Sequence, residues 1–335
     1  MRHGWLSWLL VVVPLCVAAP AGAVSSAELY QNQVYGYGRF EARMRFAPGD
    51  GVISSFFLWK PGSEVAGTFW NELDFEKLGA DCHLQTNALY GAPAEHSRNE
   101  VVAGDLCGQY HTYTFEWTPS SISWLVDGIE LRREAGETAS AFAQNASAGM
   151  QAHLNIWPGD ATFGGNFDPA ILPVRQYVSW VQYSSYADGA FVPVWREDFA
   201  GATLPSGWAL GNWLSAKNLS THAASNVNFI AELAVLSLTA DEATGFNGTP
   251  PADDAASAEG AVAGDAGASS NTADATSAGA GMPPGAAAPS GSLRANKGGG
   301  CSYGQPMASR PANTVSVFAL GLITLLAGRR RWANP

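Results

Sequence analysis

Several short stretches of this chain alternate apolar and polar residues with the period of two that marks a half-buried strand. Phe40, Ala42, Met44 and Phe46 alternate with Glu41, Arg43 and Arg45. Tyr113, Phe115 and Trp117 alternate with Thr112, Thr114 and Glu116. Val52 to Trp59 is a nearly continuous apolar run, as for a buried strand. Asp127-Gly128, set between Ile122–Val126 and Ile129–Leu131, predicts a hairpin with a tight primed turn. Tyr177 to Tyr186 reads as a further strand, and no long helical period competes. Many short strands with polar turns predict an all-β fold, a sandwich or jelly roll.

One stretch carries unusual chemistry. In Glu72-Leu73-Asp74-Phe75-Glu76 a strand would place the three carboxylates on one face and send Leu73 and Phe75 into the core. Like charges this close raise and split one another's pKa values, which marks a candidate acid/base site. The plainer alternative is an acidic solvent face on an antiparallel strand.

Composition narrows the choice. The chain has 335 residues, a net charge of −11 and no basic patch in its body, so nucleic acid is not an expected partner. Twelve Trp, ten Tyr and fifteen Phe suit stacking on sugar rings, and equally suit a large core. Residues 1–23 read as a secretory signal: Arg2, an apolar core from Leu9 to Val17, and Ala21-Gly22-Ala23 as cleavage site. Export permits disulfides, and for Cys82 and Cys107 both a bridge and two buried free thiols stay open. Composition shifts after Ala240, so 241–300 is expected to be an Ala/Gly/Ser/Pro linker without a core.

Trp70-Asn71-Glu72-Leu73-Asp74-Phe75-Glu76 followed by Leu78-Gly79 resembles the signature of glycoside hydrolase family 16, nearest its bacterial 1,3-1,4-β-glucanase (lichenase) group. Tyr35-Gly36-Tyr37-Gly38, Ser54-Ser55-Phe56-Phe57, His111 to Trp117, Trp124 to Gly128, Asn155-Ile156-Trp157 and Trp180 to Tyr183 match in the same order. The resemblance implies a curved, concanavalin A-like jelly roll with a sugar groove. It also implies Glu72 as nucleophile, Glu76 as general acid/base and Asp74 as the helper that hydrogen-bonds the nucleophile. Trp70, Asn87, Asn155 and Trp157 match sugar-contacting positions. Core packing for the Trp residues and a turn or cap role for Asn87 are the alternatives. Glu28 matches a subsite carboxylate, or is a solvated charge at a strand start. Tyr30 stands where relatives carry a sugar-binding Arg. Ser179 replaces an Asp of the family's structural calcium site, so no metal or other cofactor is expected.

The implied activity is an endo-acting retaining β-glucanase cleaving β-1,4 bonds in mixed-linkage β-glucan. A transglycosylase, another β-glucan specificity and a non-catalytic sugar-binding jelly roll are the alternatives. The resemblance starts early, at 28–186. Trp195 to Phe199, Leu204-Pro205, Trp208, Trp213 and Asn226 to Phe229 look like the family's opening strands. The reading is a circular permutation in which 24–188 is the main part and 190–240 the displaced opening. A separate β module is the alternative. Residues 301–335 resemble a MYXO-CTERM sorting tail, with Cys301 as processing point, an apolar stretch and Arg329-Arg330-Arg331. It implies processing and display at the cell envelope, with a plain membrane anchor as the alternative; the protein is expected to be a monomer.

Overall fold

The computed structural model describes residues 23–253, apart from 95, 103, 105, 242 and 243. The expected signal peptide, most of the linker, Cys301 and the sorting tail lie outside the described residues. Those described form sixteen strands: β1 (Val24–Gln31), β2 (Gly38–Arg45), β3 (Val52–Trp59), β4 (Trp70–Leu78), β5 (His83–Gly91), β6 (His96–Val102), β7 (His111–Trp117), β8 (Ser121–Val126), β9 (Ile129–Ala135), β10 (Gln151–Pro158), β11 (Val174–Ala187), β12 (Ala190–Glu197), β13 (Trp208–Leu210), β14 (Thr221–His222), β15 (Val227–Ile230) and β16 (Leu233–Ala240). The single α-helix among them, α1 (Glu137–Ala143), is seven residues long.

The expected all-β jelly roll is what forms. One layer runs β6-β5-β4-β3-β10-β1, with β13 and β14 against β1. The other runs β16-β11-β2-β7-β8-β9, with β12 against β11 and β15 against β16. The alternating stretches behave as their pattern dictates: Phe40, Ala42 and Met44 of β2 are fully buried while the charged residues between them are half-buried. Aromatic rings fill the space between layers. Phe56 and Phe75 of one layer meet Phe115 of the other at 5.1 and 4.6 Å. The hairpin at Asp127-Gly128 has φ of 49° and 76°, the two positive values a primed turn needs.

Residues 190–240 are built into the sandwich, which rules out a separate module. They supply β12 to β16, and β16 lies between β1 and β11, where it joins the two layers. Val24 pairs with Ala240 and Ser25 with Thr239, so the strands at the two ends of the domain are hydrogen-bonded neighbours.

Two expectations are resolved or corrected here. Cys82 and Cys107 form a disulfide. The boundary expected at 240 falls short, because the chain stays docked to Asp253. Gly245 and Phe246 donate backbone N–H groups to the side-chain oxygens of Asn226 and Asn228, at 3.1 and 2.7 Å. The Tyr110 hydroxyl donates to Pro251 O at 2.8 Å, and Arg43 holds the buried Asp253 at 2.9 Å. Phe246 packs edge-on against Tyr177 at 6.2 Å and under Arg175 at 4.6 Å, so the docking rests on one ring and scattered polar contacts, which composition does not reveal.

Candidate active site

The triplet lies mid-strand on β4, and cross-strand register builds the site around it. Facing neighbours in an antiparallel sheet share a face, so each carboxylate heads a row of side chains. Glu72 aligns with Leu89, Trp59 and, beyond it, Gln151. Asp74 aligns with Asn87, Phe57, His153 and Tyr30. Glu76 aligns with Gln85, Ser55, Asn155 and Glu28. All of these line one cleft of about 540 Å³. Leu73 and Phe75 are fully buried on the opposite face, as expected. The solvent-face alternative is thereby excluded: Asp74 is buried, and Glu72 and Glu76 open only partly, into the cleft.

Burial sets the electrostatics of the three carboxyl groups. It pushes Glu76 up to about 8, helped by the charge of Glu72. It pushes Glu72 up to about 7, against hydrogen bonds from Trp70 and Asp74 that favour its ionised form. Trp70 Nε1 donates to Glu72 Oε2 at 2.7 Å. Burial and the charges of both glutamates raise Asp74 well above the usual carboxylate range, which leaves it protonated and able to donate to Glu72. From behind, Trp124 Nε1 crosses the core to donate to the Asp74 backbone oxygen at 3.1 Å, fixing the strand that carries the three carboxyl groups.

The expected sugar contacts all line this cleft, with corrections to their alternatives. Asn87 is on β5 beside Asp74, to which it is hydrogen-bonded, and not in a turn or cap. Asn155 accepts a hydrogen bond from Ser55 Oγ. Trp157 serves both readings: it packs on Ile53 and Leu78 and stacks on Phe163 at 6.0 Å while bordering the cleft. Trp70 crosses Trp59 edge-on at 4.9 Å.

Glu28 is not a solvated strand-start charge. It is buried between two histidines, His153 Nδ1 at 2.8 Å and His222 Nε2 at 3.1 Å. Burial alone would raise its pKa; the hydrogen bonds from His153 and His222 outweigh this and hold it down at about 2. Both histidines escaped sequence reading. His153 hides in an apolar stretch of β10, and His222 comes from a two-residue strand 194 residues after Glu28. Trp213, also on the cleft, lies in a loop that has no pattern of its own.

Known proteins resemble this chain in the same region. The model of the glycosyl hydrolases family 16 matches residues 17–181. A β-glucanase of Fibrobacter succinogenes is 33% identical over 258 residues, covering 71% of this chain and 72% of that protein. A β-glucanase of Bacillus amyloliquefaciens is 34% identical over 154 residues, covering 45% of this chain. The chain spans 60% of that relative's length. Among solved structures, the Bacillus licheniformis β-glucanase is 27% identical, covers 49% of this chain and 78% of its own, and superposes with a TM-score of 0.40.

Proposed function

The chain belongs to glycoside hydrolase family 16, and from that premise we propose that it is an endo-acting retaining β-glucanase that cleaves β-1,4 bonds in mixed-linkage β-glucan. The observation that carries the reading is Glu72, Asp74 and Glu76 on one face of β4 at the floor of a cleft, with raised and separated proton affinities. Glu72, ionised, attacks the anomeric carbon and forms a glycosyl ester. Glu76, protonated, gives its proton to the departing oxygen, then takes one from the water that resolves the ester. Asp74 keeps its proton and donates a hydrogen bond to Glu72, as Trp70 does, so the nucleophile is oriented as well as charged. A binding module would gain nothing from holding three carboxyl groups together against their repulsion.

The activity test is a rate comparison on lichenan, laminarin, xyloglucan and agarose. Lichenan is expected to be cleaved fastest, with the anomeric configuration retained in the first product. Laminarin or xyloglucan cleaved faster would move the specificity elsewhere in the family, and no cleavage of any would sink the reading.

The same protein should show a narrow bell in kcat/KM against pH. Activity requires Glu72 ionised and Glu76 protonated, so the rate rises with pH through about 7 and falls through about 8. A flat profile from pH 5 to 9 would contradict this pairing of roles.

The rearranged order of the chain and its place in the cell belong to the same proposal. The pairing of Val24 with Ala240 supplies the adjacent ends that a circular permutation requires. The Fibrobacter relative aligns with 71% of this chain against 45% for the Bacillus one, which agrees with a shared arrangement downstream. The Cys82–Cys107 bridge supports folding in an oxidising compartment, and hence secretion. The apolar, Arg-ended tail supports tethering to the envelope through Cys301. A monomer acting on a polysaccharide, without a metal, is the simplest form of the enzyme.

A further inference from the structure

The cleft floor crosses five strands, from Asn87 on β5 through β4, β3 and β10 to Tyr30 on β1. A chain bound along this floor has its two edges toward the strand ends. At the end marked by Trp157, two loops meet. Residues 159–165 follow β10, and residues 211–220 lie between β13 and β14. The second loop is seated on β1, level with Trp157: Ser220 Oγ donates to Ser26 Oγ at 2.8 Å, at the next position after the Ala27–Ile156 pair.

Lys217 joins the two loops. Its Nζ donates to Asp160 Oδ1 at 2.7 Å and to Thr162 Oγ1. The same Asp160 oxygen accepts the backbone N–H groups of Thr162 and Phe163 at 2.8 and 3.2 Å, so this carboxylate fixes its own loop and grips the other. The hydrogen bonds from Lys217 and Thr162 hold Asp160 well below the usual carboxylate range, which keeps it ionised at neutral pH. Little else restrains the tip of the second loop. Its two leucines, Leu214 and Leu219, are exposed. Lys217 and Asn218 have φ of 61° and 57°, two consecutive left-handed residues without a glycine. Such a backbone persists only where its surroundings over-determine it, and the clasp supplies that restraint. Lys217 and Phe163 both line the cleft, so the joined loops form a continuous wall along its edge.

We propose that the Lys217–Asp160 clasp is a specificity-determining element that closes this flank of the cleft to side groups, so that the enzyme takes an unsubstituted β-glucan and rejects one carrying sugar branches. The inference rests on the β-glucanase reading and adds to it which glucans the cleft admits. The hydroxyl and hydroxymethyl groups of a β-linked glucosyl ring are equatorial. A chain lying flat on the floor therefore turns its substituents to its edges. Successive β-1,4 units are turned over, so every second unit sends its O6 toward the clasped loops. A hydroxymethyl group ends there; a sugar attached to it meets the wall. Discrimination then comes from a clash built against the wrong chain.

Two substitutions open the clasp by different routes. Lys217→Met keeps the stem and removes the ammonium. Asp160→Asn keeps an acceptor for Thr162 and Phe163 and removes the charge. Both are made in the full chain, and kcat/KM is measured on lichenan and on xyloglucan, whose side sugars sit on O6. Each variant should raise the xyloglucan-to-lichenan ratio about fivefold or more over the parent. Raising NaCl from about 0.05 to about 0.5 M should raise the parent's ratio about twofold, because a partly exposed pair is screened, and should leave the ratio of either variant where it is. A pair with a merely structural role would lower both rates together; an unchanged ratio in the two variants would overturn the proposal. A parent that cleaves xyloglucan as fast as lichenan would also overturn it, with the β-glucanase reading intact. A folded parent that cleaves neither would refute that reading, and this inference with it.

Discussion

Replacing Glu72 with alanine should abolish hydrolysis of lichenan, by about ten-thousandfold or more, while the domain stays folded. The size follows from the role: without the carboxylate there is no ester intermediate, and positioning alone remains. Retention of the fold follows from the structure. Glu72 points into the cleft, its strand is anchored by Leu73 and Phe75 in the core, and Trp124 holds the Asp74 carbonyl from behind. The substitution also removes a buried charge that raises Asp74 and Glu76, so stability should rise at alkaline pH. The sign is fixed by linkage. A carboxyl whose pKa is higher folded than unfolded makes its full contribution to stability below the unfolded value, about 4.5 for Glu, and loses it as pH rises through the folded value, here about 7 for Glu72 and about 8 for Glu76. Initial rates with thermal melts at pH 6 and pH 9 check both halves. A variant that cleaves lichenan as fast as the unaltered chain would strip Glu72 of the nucleophile's role, and no cleavage by either would return the protein to the class of sugar-binding jelly rolls.

Ending the chain at Asp188 should leave no folded protein at all. The cut removes β12 to β16 and takes out the strand that joins the layers. Phe199, Trp208, Val227, Leu233, Val235, Leu236 and Leu238, seven large side chains that are each at most 6% exposed, leave with it. At about 1.5–3 kcal/mol each their burial amounts to roughly 10–20 kcal/mol, as much as the whole stability of a typical domain. The cut also removes His222, one of the two partners of the buried Glu28, and Asn226, whose Nδ2 donates to Ser25 O at 2.9 Å. Circular dichroism and size-exclusion chromatography of a secreted 24–188 fragment measure the outcome. A soluble, lichenan-cleaving fragment would contradict the account of 190–240 as an integral part of the sandwich.

Local pattern was enough wherever local physics decides. The alternation in β2 and β7, the apolar run of β3 and the Asp-Gly turn depend only on which face is buried and on which residues tolerate positive φ, and all stand where they were read. The three carboxylates followed from the same period of two. Their ordered flanks made the family legible, because three carboxylates at spacing two within that run of matches leave few alternatives.

What the sequence left undecided was every feature made by pairing across long distances. The state of Cys82 and Cys107 depended on how near the loops that carry them come to each other. Asn87 looked as much like a turn residue as a cleft residue until register set it beside Asp74. Glu28 looked as much like a solvated charge as a subsite carboxylate, because nothing nearby in sequence says that His153 and His222 will close over it from 125 and 194 residues away. The chain by itself determined the fold class, the strand that carries the three carboxylates and the face it presents, since side-chain alternation and hydrophobic burial act within a few residues. Only the tertiary structure decided the protonation of that face, the partners of Glu28 and the extent of the domain to Asp253, since burial, charge proximity and hydrogen-bond geometry arise when distant strands meet.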